Sequence, residues 1–129
     1  MRRFAMLLLL LFATIPGAQA AEPPTRKFVV FFQEWSVAID DAAESVISQA
    51  ATFARDNPNR PVRVTGFADP TGTRKSNILL SELRAQRVAD YLMQDGVPEM
   101  WIKMRGKGPV LYAISSVESR RVEISIQGK

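Results

Sequence analysis

The chain has 129 residues, with 17 Lys and Arg against 13 Asp and Glu, a formal net charge of +4, no histidine and no cysteine. Without cysteine there are no disulfides, thiolate nucleophiles or Cys-ligated zinc; without histidine the commonest general base and metal ligand are gone, so neither metal nor cofactor is expected. The charges are of mixed sign and spread along the sequence rather than gathered in a basic block, which argues against a nucleic-acid partner.

The chain opens with MRRFAMLLLLLFATIPGAQA: Arg2 and Arg3 form a basic start, Phe4 to Ile15 an apolar run, and Ala18-Gln19-Ala20 a small-x-small cleavage site. That is the pattern of a secretory signal, and the apolar run is shorter than the ~20 residues of a spanning helix. Residues 1–20 are therefore expected to be removed, leaving a periplasmic product with no transmembrane segment. Removing 20 of 129 residues leaves 109, and removing Arg2 and Arg3 leaves 15 basic against 13 acidic side chains. That length is one domain's worth.

Residues 21–26 (AEPPTR) read as a short tether because two prolines oppose regular structure, and the domain is expected over 27–129. Lys27 to Gln33 is rich in β-branched and aromatic residues and reads as a buried strand. From Asp40 to Asn57 the apolar residues Ala43, Val46, Ile47, Ala50, Phe53 and Ala54 recur at helical spacing, with Asp40 or Asp41 as N-cap and Asn57-Pro58 as the stop. Pro61 to Phe67 alternates as a second strand. A turn, Ala68 to Gly72, leads into a second helix that runs from about Thr73 to Asp95, with Gly96 placed to end it. Trp101 to Gly106 reads as a third strand with Ile102 and Met104 on its inner face, Lys107 to Ser119 as a loop with room for a helical turn, and Arg120 to Gln127 as a last strand. There Val122, Ile124 and Ile126 alternate with Glu123, Ser125 and Gln127, so one face is buried and one wet. The order strand-helix-strand-helix-strand-strand predicts an α+β two-layer sandwich, a four-stranded mixed sheet covered on one face by two helices.

Gly66 to Gly96 carries the chemistry. Asp69 lies just past the carboxyl end of the second strand, where such sheets often receive ligands. Asn77 and Arg84, seven residues apart, fall on one flank of the second helix beside its buried stripe. A carboxylate, an amide and a guanidinium on one groove suit a zwitterion: Asp69 accepting from an ammonium, Arg84 donating two parallel hydrogen bonds to a carboxylate. Plainer readings stand beside this one. Asp69 before Pro-x-Gly is ordinary turn chemistry, Arg84 could pair with Asp69 or Glu82 on the surface, Asn77 could bond only backbone, and Arg120 or Arg121 could bridge to a helix end. Trp35 and Trp101 read as partial core or rim.

Gly66-Phe67-Ala68-Asp69, Gly72, Asn77, Leu80-Ser81, Arg84-Ala85, Val88, Tyr91-Leu92, Gly96-Val97, Gly106-x-Gly108 and Arg120-Arg121-Val122-Glu123 resemble, in fixed spacing, the pattern of OmpA-like domains, the C-terminal peptidoglycan-binding domains of outer membrane protein A. The resemblance implies a non-catalytic module whose partner is the stem peptide of peptidoglycan. It also implies that Asp69 and Arg84 grip the amino and carboxylate ends of meso-diaminopimelate, with Asn77 and one of Arg120 or Arg121 as secondary contacts. The family commonly has Thr before the aspartate and Asn before the Arg pair; here Ala68 and Ser119 stand there. The alternative is an envelope assembly domain that keeps the fold and takes a protein partner without binding the wall.

Overall fold

A computed structural model of the chain describes residues 24–110 and 116–128. The expected signal segment lies outside them. Along the chain come β1 (Thr25–Phe31), α1 (Asp41–Asp56), β2 (Val62–Ala68), α2 (Arg74–Gln94), a 3-10 turn (Glu99–Trp101), β3 (Ile102–Pro109), a single helical turn, α3 (Ser116–Ser119), and β4 (Arg121–Gln127). The four strands form one sheet in the order β1-β4-β2-β3. β4 is antiparallel to both neighbours and β2 runs parallel to β3, so the sheet is mixed. With α1 and α2 packed on one face, this is the expected α+β sandwich.

The helices begin and end where local chemistry sets them. Asp40 caps α1, its carboxylate accepting from the Ala43 amide at 2.7 Å, and Asp41 and Glu44 in the first turn with Arg55 in the last suit the helix dipole. Thr73 caps α2 through the Ser76 amide at 3.1 Å. At the other end the Gly96 amide reaches the Met93 carbonyl and the Val97 amide the Leu92 carbonyl. This Schellman ending needs a left-handed residue, supplied by Gly96 at φ 96°.

The core lies between the layers. Ile47, Ala50, Ala51 and Ala54 of α1 and Ala85, Val88 and Leu92 of α2 close over Val62 and Val64 of β2 and Val122, Ile124 and Ile126 of β4, all essentially buried. α2 sits unusually near the sheet. A Cβ on Gly66 would stand 2.0 Å from the Ser81 carbonyl oxygen, and one on Gly106 would stand 2.7 Å from the Glu82 nitrogen. These glycines and the fully buried Ser81 hold α2 in a seat that no larger residue permits.

Several strand boundaries differ from expectation. Thr25 and Arg26 are not tether but strand, because Gln127 and Ile126 of β4 provide their partners once Pro24 is passed. β3 begins after Trp101, which closes the 3-10 turn, and continues to Pro109, so part of the expected loop is strand. Met104 does face the helix layer, yet it is 45% exposed because β3 is an edge strand that α2 covers only in part.

Candidate functional site

The cleft lies at the carboxyl ends of β1 and β2. It is built from the segment after β1 (Glu34, Trp35), the turn after β2 (Asp69, Thr71), one flank of α2 (Asn77, Leu80, Arg84) and Arg120 before β4. These side chains leave no water-sized space between them, so a ligand would be met at the mouth of the cleft.

Asp69 is buried, and each of its carboxylate oxygens has a partner. Its carboxylate accepts from Ser119 Oγ through Oδ1 and forms an ion pair with Arg120 at 3.2 Å through Oδ2. Arg120 also donates from Nε to the Phe32 carbonyl at 3.1 Å, which fixes its guanidinium over the cleft. Ser119, one of the two positions where the sequence departs from the resembled pattern, is thus a direct partner of the candidate aspartate.

Arg84 departs from expectation. It does not lie beside the buried stripe; its exposure is 0%. Nε donates to the Ser36 carbonyl at 2.9 Å, Nη1 to the Phe67 carbonyl at 3.3 Å and Nη2 to the Gln33 carbonyl at 3.0 Å, while the guanidinium lies 5.2 Å from the centroid of the Phe32 ring. Three of its five N–H donors are therefore spent on backbone. Helical spacing places Arg84 next to the stripe, but the segment after β1 folds over it and completes its burial. Desolvation pushes its pKa well below the ordinary arginine value, to about 10, with Asp69 pulling it up and Arg120 lowering it. It remains a cation at neutral pH.

Asn77 is also buried, and its amide donates to the Thr71 carbonyl at 2.5 Å. It braces the turn that carries Asp69 while lining the same cleft. The two terminal arginines separate. Arg120 shares the helix-facing side of β4 with Val122, whereas Arg121 is on the opposite face, paired with Glu123 at 3.1 Å and stacked 4.1 Å from the Phe67 centroid. Arg121 is thus not a cleft residue, because successive strand residues point to opposite faces. Trp35, at φ 53° and 52% exposed, stands at the rim and meets Gly72, where an added Cβ would lie 2.9 Å from the indole.

Among the described residues no cluster of acidic side chains could hold a metal, and no helix is long and apolar enough to cross a membrane. The cleft brings one carboxylate and two guanidinium groups together over a shared floor, with Glu34 at its mouth. Such a site holds a charged ligand by charge-assisted hydrogen bonds.

The sequence profile of the OmpA family matches residues 31–128. The chain is 33% identical to the peptidoglycan-associated lipoprotein of Rhizobium meliloti (strain 1021), over 67% of this chain and 49% of that protein. It is 30% identical to outer membrane protein A of Serratia odorifera, over 81% and 50%. It therefore spans about half the length of these curated relatives. The OmpA-like domain of FopA1 from Francisella tularensis superposes with a TM-score of 0.75 at 27% identity, covering 86% of this chain and 77% of that one. The match runs from the end of β1 to the last strand and takes in every segment that lines the cleft, so the chain belongs to the OmpA family.

Proposed function

We propose that the chain is a non-catalytic periplasmic module, exported with residues 1–20 removed, that binds peptidoglycan by holding the diaminopimelate of its stem peptide in the cleft. One observation carries this reading: the guanidinium groups of Arg84 and Arg120 and the carboxylate of Asp69 converge at one site, with the exposed Glu34 at its mouth, so a zwitterion finds groups of both signs within reach. Asp69 then receives the ligand ammonium, and Arg84, with Arg120 beside it, receives the carboxylate. Asn77 holds the turn in place. The similarity to a peptidoglycan-associated lipoprotein supports peptidoglycan as the partner. Binding rather than catalysis fits a floor with a single carboxylate in a chain that has no histidine to act as base.

The test is cosedimentation of the exported chain with purified sacculi, comparing wild type with Asp69→Asn and Arg120→Gln. Asp69→Asn keeps an acceptor for Ser119 and removes the charge. A charge-assisted hydrogen bond is worth roughly 1.5–3 kcal/mol, so each variant should bind at least about tenfold more weakly; because each also breaks the largely buried Asp69–Arg120 pair, binding is compared at a temperature where circular dichroism shows both variants folded. Sacculus binding equal to wild type in both would refute the clamp and leave the assembly-domain reading as the better account.

A further inference from the structure

The face of the sheet turned away from the helices is strongly cationic, with basic residues from all four strands. Strand alternation places Lys27 of β1, Arg63 of β2, Lys103, Arg105 and Lys107 of β3 and Arg121 of β4 on that face, with Glu123 as its one acidic residue. Six of the chain's 17 basic side chains and one of its 13 acidic ones lie there, which leaves 11 basic against 12 acidic elsewhere. The register confirms that they are neighbours: Arg63 is opposite Lys103, Thr65 opposite Arg105, and Phe31 opposite Arg121. Glu123 is already paired with Lys27 at 3.6 Å and Arg121 at 3.1 Å. Arg63, Lys103, Arg105 and Lys107 are exposed, and among the described residues none of the four has a salt-bridge partner.

Lysines on an edge strand commonly do no more than discourage pairing with other chains. That accounts for Lys103 and Lys107 on β3 but not for Arg63 and Arg121, which lie on the two interior strands.

We infer that this open sheet face is a docking surface for an anionic phospholipid bilayer, distinct from the cleft at the strand ends. Three features favour a bilayer over a polymer. The cations spread in two dimensions across neighbouring strands about 4.8 Å apart rather than lining a groove. Stacking of successive nucleic-acid bases requires aromatic platforms along the path of the strand, whereas Phe67, in the middle of this face, is 6% exposed beneath Arg121 and Lys107 and the exposed Phe31 stands at its rim. Phe31, 47% exposed at the rim of the same face, is placed to enter the headgroup region while the long basic side chains reach phosphates.

The experiment is cosedimentation of the exported chain with vesicles of phosphatidylcholine, alone or mixed with phosphatidylglycerol. Three chains are compared: wild type, the triple variant Lys103→Gln/Arg105→Gln/Lys107→Gln, and a control, Arg74→Gln/Lys75→Gln/Arg87→Gln, which removes equal charge from exposed positions on α2. Each basic residue at an anionic surface contributes about fivefold in affinity. Wild type and control should bind the mixed vesicles, and the β3 variant should bind on the order of a hundredfold more weakly; neutral vesicles should bind none of them. Equal losses in the β3 variant and the control would reduce the effect to net charge and overturn the assignment. So would a β3 variant that binds like wild type, equal binding to neutral vesicles, or single-stranded DNA bound more tightly than the mixed vesicles at the same salt.

Discussion

Replacing Arg84 separates its role in the fold from its role in the site. Burial lowers its pKa from the ordinary arginine value to about 10, so roughly 3 kcal/mol is held against the charged state in the folded protein at neutral pH. Because the folded value lies below the unfolded one, this cost is fully present at neutral pH and is relieved only as pH climbs from about 10 towards the unfolded value. Offsetting it are the hydrogen bonds to Gln33, Ser36 and Phe67; the last is fully buried, and the other two are partly so. Arg84→Met fills the same space without the charge. It recovers the roughly 3 kcal/mol, strands the Phe67 carbonyl at about 1–3 kcal/mol, and loses two bonds that water replaces in part, at about 1 kcal/mol each. The net change should stay within about 3 kcal/mol. Arg84→Ala strands the same carbonyls and also leaves a hole, and large-to-small core changes cost about 2–5 kcal/mol; it should fall about 2–3 kcal/mol below the methionine variant. Urea unfolding followed by fluorescence of Trp35 and Trp101 gives both values from midpoint and slope. Sacculus binding should be lost in both variants. Equal stability of the alanine and methionine variants, or an alanine variant as stable as wild type, would refute the account of Arg84 as a buried brace.

Two further outcomes follow from packing. Gly66→Ala puts a methyl 2.0 Å from the Ser81 carbonyl oxygen, so α2 must shift and carry Asn77 and Arg84 with it. We expect about 1–3 kcal/mol of destabilisation together with loss of sacculus binding, and a wild-type thermal midpoint would contradict the close seat of the helix. Val122→Asp places a carboxylate at a position of 0% exposure in the core and should cost about 3–5 kcal/mol; chemical denaturation at wild-type strength would be incompatible with β4 as a central strand.

The layered fold was legible because each element carried its own period or cap. Alternation in β4 marked Val122, Ile124 and Ile126 as core, and Asp40, Thr73 and Gly96 marked helix ends. The site was legible only in part. That Asp69, Asn77 and Arg84 meet follows from their spacing, but two of the three carbonyl partners of Arg84 lie 48 and 51 residues earlier in the chain, and nothing local ties them to it. The choice between Arg120 and Arg121 was available in principle. Arg120 shares the parity of buried Val122 and Arg121 that of Glu123, so extending the alternation by two residues assigns Arg120 to the helix side. The same alternation gathers basic residues that are scattered in sequence onto one sheet face. Charge was counted along the chain, whereas the fold sorts it by face.

The pairing of β1 with β4 also has a mechanical consequence. Pro24 and Gly128 meet at one pole of the sheet, with the Gly128 amide on the Pro24 carbonyl at 2.7 Å, while the cleft occupies the opposite pole beside Phe32 and Arg120. Any pull between a ligand held in the cleft and the chain at Pro24 runs along the strand axis. It loads the β1–β4 ladder, seven residue pairs from Thr25 to Phe31, in shear. Its hydrogen bonds then share the force together instead of opening one after another, an arrangement that resists extraction far better than a strand peeled from its end.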